Sequence, residues 1–142
     1  MSDTDIISMV GLYIKGDQLD PDAASRVLGA TPTVARRKGV RGVSKEGVER
    51  SYVYNTGVWA VTVEKKAPLS DCLPDLLRTL GEGASKILEV PYADDCYVDI
   101  LLSLPLVSPD DNTHSFSLSE TDIAGLSKLN VPVHFTVSFV KD

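Results

Sequence analysis

Apolar residues alternate with other types along several stretches of the chain and recur at helical spacing in three more. The first stretch is DIISMVGLYIKG. One face of it takes Ile6, Val10, Leu12 and Ile14, and the other takes Ile7, Met9 and Tyr13. Two largely apolar faces predict an interior strand. The segment that follows, LDPDAASRVLGATP, is written as a helix with both ends marked. Asp20 is placed to cap it, Pro21 suits the first helical position, and Asp22 sits at the positive end of the dipole. Gly29 stops the helix and Pro32 prevents its resumption, so a helix is expected over Pro21–Leu28, with Val27 and Leu28 as apolar contacts.

Val34–Val43 and Arg50–Val63 read as strands around a mobile connection, SKEG. In the second of them Trp59, Val61 and Val63 point one way, while Val58, Ala60, Thr62 and Glu64 point the other, and Trp59 reads as core. A second helix is expected from near Asp71, with Leu73, Leu76, Leu77 and Leu80 as its stripe, Pro74 in its first turn and Gly81 at its end. ASKILEV adds one further helical turn. CYVDILLSL is a strong strand with Val98, Ile100, Leu102 and Leu104 on one face, and SPDDNT is a loop. In SETDIAGLSKLN, Ser119 and Asp122 form a pair resembling a capping box, and Ile123, Leu126 and Leu129 form the stripe of a third helix. The final VPVHFTVSF alternates without a break. Val131, Val133, Phe135, Val137 and Phe139 are expected inward, and His134, Thr136 and Ser138 outward.

Three amphipathic helices, and strands with one clean apolar face, predict an α+β fold: about three helices packed on one face of a mostly antiparallel sheet. The other sheet face then carries Tyr13, Thr62, Tyr97, Asp99, Ser103, His134 and Thr136. No repeat or change of composition divides the chain, so residues 1–142 are expected to form a single domain.

Composition narrows the function classes. Hydrophobic residues make up 43% and charged residues 24%, a globular balance. The most apolar stretch, VDILLSLPLV, is interrupted by Asp99, Ser103 and Pro105 and is far shorter than the roughly 20 residues of a membrane span. MSDTDIISMVG does not read as a signal peptide, and Cys72 and Cys96 read as reduced thiols, so a cytoplasmic protein without a membrane partner is expected. Net charge is -6, yet Arg36 to Arg50 holds six cations against two glutamates, a local +4 that leaves -10 for the remainder. An acidic chain is a poor match for nucleic acid and a better one for a basic protein.

Chemical motifs are sparse. Phosphate-loop, dinucleotide and nucleophile-elbow signatures do not occur, and neither a cofactor nor a metal is expected. Only His114 and His134 are available for acid–base work. His134 with Asp99 on a neighbouring strand is one candidate pair for a hydrolase-type reaction, although a histidine on an outward strand face serves no such role in most proteins. Cys72 near a helix start is a candidate thiolate, or a small packed side chain. Asp94–Asp95 and Asp110–Asp111 lack the alternate spacing of calcium loops and read as solvated turns. The run Arg36, Arg37, Lys38 and Arg41 reads as a hairpin that offsets nearby aspartates, or as a dock for an acidic protein or phosphate-bearing ligand.

The order of the opening strand, LDPDAASRVLGATPT, RRKG, TGVWAVTVE, the leucine-paired helix, CYVDILLSL and FSLSETDIAGLSKLNVPVHFTVSF resembles a small bacterial family known only as a domain of unknown function, number four-two-seven-nine in its series. The resemblance runs from about Ile6 to Phe139 and rests on structural landmarks. It implies a bacterial cytoplasmic α+β domain and carries no catalytic residues. The expectation that follows is a non-catalytic protein-binding module, an immunity protein that neutralises a basic toxin domain. Its contacts would come from acidic loops such as Asp94–Asp95 and Asp110–Asp111 or from the polar sheet face with Asp99 and His134. A small-ligand sensor on the same face, or an enzyme around His134 and Asp99, are the alternatives.

Overall fold

A computed structural model of the chain describes residues 6–106 and 113–140. Its elements run β1 (Ile7–Gly16), α1 (Pro21–Leu28), β2 (Val34–Arg36), β3 (Arg41–Val43), β4 (Glu49–Val53), β5 (Gly57–Lys65), α2 (Leu69–Leu80), β6 (Asp95–Pro105), α3 (Glu120–Leu129) and β7 (Val133–Val140). Five strands form one sheet in the order β2-β5-β1-β6-β7, and β3 pairs with β4 in a separate two-stranded arm. Every pairing in the main sheet is antiparallel except β6 with β7, which the crossover through α3 makes parallel. The expected class, an α+β domain with a mostly antiparallel sheet, is the one found.

Strand alternation builds the core. Val10, Leu12 and Ile14 of β1, Trp59 and Val61 of β5, and Val98, Ile100, Leu102 and Leu104 of β6 share one face and are buried. Leu69, Cys72, Leu73, Leu76 and Leu80 of α2 close over them, with Ala24 and Leu28 of α1 and Leu126 and Leu129 of α3. The helix ends follow the sequence: Asp20 Oδ1 accepts from the Asp22 amide at 3.0 Å, Gly29 takes a left-handed conformation, and Ser119 Oγ accepts from the Asp122 amide at 3.0 Å. Trp59 is fully buried, and its indole N–H donates to Ser25 Oγ at 2.9 Å, tying β5 to α1. Two short 3-10 turns, Gly81–Ser85 and Ile87–Glu89, stand where one helical turn was expected.

Four expectations need correcting. Val34–Val43 and Arg50–Val63 are not continuous strands. Gly39 adopts φ +82°, a conformation glycine permits, where the first breaks after Arg36, and β3 and β4 pair with each other away from the main sheet. α2 starts at Leu69, with Pro68 before it, so Pro74 lies in the second turn and not the first. Ile123 of α3 is 54% exposed, because the helix turns Asp122, Leu126 and Leu129 inward and sets Gly125 against Leu77 of α2.

The fourth correction concerns β7. Its register sets Phe135, Val137 and Phe139 beside Ile100, Leu102 and Leu104, on the helix side as expected. The helices do not reach that edge, however: α2 lies over β1 and β5, and α3 packs on α2. Phe135, Val137 and Phe139 are therefore 47%, 42% and 50% exposed, and of this face only Val133 packs against the core. Asp110–Asp111 lie outside the described residues.

Candidate functional site

The face of the sheet opposite the helices carries the residues anticipated for it. Tyr13 of β1 and Tyr97 of β6 are register partners, and their rings stack at 5.4 Å with 15° between planes. Tyr97 also meets the His134 ring edge-on at 5.2 Å. The Lys15 ammonium lies 5.2 Å from the Tyr97 ring centre and 5.9 Å from that of Tyr13, close enough for cation–π attraction. This aromatic row needs Gly11. A Cβ there would stand 2.8 Å from Tyr13 Cε2 and 2.9 Å from Thr62 Cγ2, so any side chain would lift the Tyr13 ring or displace Thr62.

Asp99 is the register partner of both Gly11 and His134, so β6 brings the carboxylate and the imidazole side by side. Asp95, Tyr97, Asp99, His134 and Thr136 line a shallow, open groove of about 460 Å³. Asp94 stands at the end of β6 beside β1, its amide donating to the Lys15 carbonyl at 2.9 Å. Burial raises the Tyr13 hydroxyl above its usual value, and the neighbouring Asp99 and Tyr97 add to that, against the pull of Lys15. Among the described residues no hydrogen bond joins His134 to Asp99; the close neighbour of the imidazole is the Tyr97 ring.

The other candidates lie at the far edge of the sheet and largely serve the fold. Arg37 donates to Asp20 at 2.6 Å and to Asp22 at 3.1 Å, across the start of α1. Lys38 donates to Asp17 at 3.0 Å, and Arg41 to the Arg50 carbonyl at 3.0 Å. Arg36 lies over the Tyr54 ring at 4.9 Å. The hydrogen bond from Lys38, with one from Thr56, holds the Asp17 carboxyl below its ordinary range. At Asp20 the upward push of burial is outweighed by the Asp22 amide and Arg37, and the carboxyl is again lowered. Of the basic run, Arg37 and Lys38 offset nearby aspartates, whereas Arg36 and Arg41 meet a ring and a backbone carbonyl.

Cys72 is a packed thiol, its S–H directed at the Ser8 carbonyl at 3.4 Å; burial pushes it up, away from thiolate character. Sequence reasoning missed Lys15, Tyr52 and Tyr54. The alternation of β1 puts Lys15 on the face of Tyr13 and was the available signal for it. Alternation along β4 puts Arg50 on the face of Tyr52 and was the signal there, whereas only the fold brings Arg36 onto the Tyr54 ring. No group of three or more histidine, cysteine or acidic side chains able to hold a metal occurs among the described residues. Among them, too, no helix is long and apolar enough to cross a membrane.

A family model for a domain of unknown function, DUF4279, matches residues 6–140. The chain belongs to that family. The landmarks that resembled it include the capped α1, the Trp59 strand, β6 and the Ser119-capped α3. No curated protein and no solved structure matches the chain.

Proposed function

We propose that the chain is a protein-binding module of the immunity type, which neutralises a basic toxin domain by taking it onto the bare face of the sheet. The observation that carries this reading is the open row Tyr13–Tyr97–His134, bordered by Asp95 and Asp99. Tyrosines suit such a surface because they offer large contact area for little conformational entropy, and they are enriched where proteins meet. The charge distribution supports a basic partner. The +4 segment sits at the opposite edge of the sheet, where Arg37 and Lys38 pair with Asp17, Asp20 and Asp22, and the net charge of -6 favours steering of a basic partner.

Co-expression with the toxin encoded beside its gene tests the reading. Growth should be restored by the wild type and lost with Tyr97→Ala plus Asp99→Asn, a pair expected to weaken binding by about 30-fold or more if Tyr97 is a hot spot. Association should slow as salt rises. No protein partner at physiological salt together with no protection, or undiminished binding by the double variant, would refute it.

A second reading is a small-ligand sensor on the same face. The groove, about 460 Å³, exceeds the roughly 300 Å³ at which ligand clefts begin. Saturable stabilisation by a small molecule, abolished by Tyr97→Ala, would favour it over the first.

A further inference from the structure

Strand β7 is an edge without the usual protection. Sheets blunt their edges with lysine, proline, bulges or short strands. The eight residues Val133–Val140, VHFTVSFV, contain no charged residue, proline or glycine, and they keep an unbroken register against β6. The ladder fixes which groups are left over. Pro132 and Val140 give their carbonyls to β6, accepting from Val98 and Leu106 at 2.9 and 3.0 Å. Alternation then aims the backbone N–H and C=O groups of Val133, Phe135, Val137 and Phe139 away from the sheet. Phe135, Val137 and Phe139 also carry the exposed apolar row on the helix side, extended by Phe116, whose ring lies 6.4 Å from that of Phe135.

We propose that this edge pairs with β7 of a second copy of the chain, antiparallel and about a twofold axis at Thr136, to make one ten-stranded sheet. The register follows from the free groups. With Thr136 opposite Thr136, Phe135 falls opposite Val137 of the second copy and Val133 opposite Phe139. All four outward amides are then used from each side. Those pairs set an aromatic ring against a β-branched side chain, a favourable cross-strand combination. An uncharged strand places no like charges across the axis, although the whole chain carries -6.

Area supports the same occupant. Phe116, Phe135 and Phe139 are each close to half exposed. At about 150–250 Å² per phenylalanine they leave about 300 Å² uncovered per copy, and with Val137, Val140 and the strand backbone two copies reach about 1,000 Å², the least a biological interface should bury. The opposite edge, β2, is only three residues long and includes Arg36, so head-to-tail growth has no matching edge and the assembly closes as a dimer. His134 would lie opposite Ser138 of the second copy, which brings the two grooves to either side of the axis.

Sedimentation of the full chain at about 100 µM, well above a micromolar Kd, should give twice the 15.3 kDa of one chain. Val137→Lys should return it to one chain's mass with the circular dichroism spectrum unchanged, since the altered side chain is already half exposed and its amide unused. In a Cys96→Ser background, Thr136→Cys should form an intermolecular disulfide under mild oxidation. Facing residues of a non-hydrogen-bonded pair stand about 4.5 Å apart at Cα, within disulfide reach. Ser138→Cys should not, its counterpart being about 14 Å away along the strands. A monomer at that concentration, a dimer indifferent to Val137→Lys, or cross-linking equal at 136 and 138 would overturn the proposal.

Discussion

Ser25→Ala isolates one hydrogen bond on which the seating of α1 depends. The Trp59 indole is fully buried, and its N–H has Ser25 Oγ as acceptor at 2.9 Å, across 34 residues of sequence. Removing the hydroxyl leaves a donor facing a methyl group. A buried donor without a partner costs about 1–3 kcal/mol. Ser25 is only partly covered, so water can replace some of the loss, and about 1–2 kcal/mol is expected, a fall in Tm of about 3–6 °C for a domain of this size. Trp59→Phe costs stability through lost packing, but it also deletes the donor. Ser25→Ala should then cost almost nothing in that background, and the cycle should show a coupling of about 1 kcal/mol or more. Urea unfolding of the four proteins, followed by far-UV circular dichroism because Trp59 is the only tryptophan, measures it. If Ser25→Ala costs the same with tryptophan or phenylalanine at 59, the hydrogen bond is not what holds α1 to the sheet.

Other outcomes follow from the same structure. Gly83→Ala should destabilise by about 1–3 kcal/mol or more, since its Cβ would fall 2.2 Å from the Leu28 carbonyl oxygen and meets only backbone there, so α1 or the turn must move; an unchanged Tm would contradict this. Ser119→Ala should cost about 1 kcal/mol through loss of the α3 cap, and Ser119→Asp should recover most of it in the same denaturation assay. Asp17 and Asp75 are held below their ordinary value of 3.8, the first by Lys38 and the second by Lys65 and Arg78. The unfolded chain binds those protons first, so the contribution is complete above that value and disappears as pH falls through the lowered folded-state values. The profile of Tm against acid pH should therefore be shallower in Lys38→Met plus Lys65→Met than in the wild type; coincident profiles would refute the assignment.

How far the sequence carries depends on whether a feature is local. Asp20, Pro21 and Gly29 declare α1 to the residue because caps and breakers act within one turn. Alternation correctly sorted β1, β5 and β6 into core and open faces, and it placed Phe135, Val137 and Phe139 on the helix side. It also expected them to be buried there, and they are not, because burial depends on where α2 and α3 come to rest. The bend at Gly39 was hidden for a similar reason. Glycine permits a positive φ without requiring one, and the arm's departure from the sheet is decided by the pairing of β3 with β4. At the candidate site, alternation put Asp99 and His134 on one face. Their adjacency comes from the parallel β6–β7 register, which a strand's own residues do not encode.

The central position of β1 has a cost during synthesis. It hydrogen-bonds on both edges, to β5 and to β6, and its first residue, Ile7, pairs with Ser103. A ribosome extends a chain by about 5–20 residues each second, so the stretch between Gly16 and Asp95 takes about 4–16 s, whereas strands already present can zip together in microseconds. Over that interval β1 has emerged with apolar side chains and at least one unpaired edge. Chaperones that hold extended apolar segments would find their substrate here, and slowing translation should raise the aggregated fraction in cells that lack them. The strand that ends up deepest in the finished molecule is the one that waits longest for its partners.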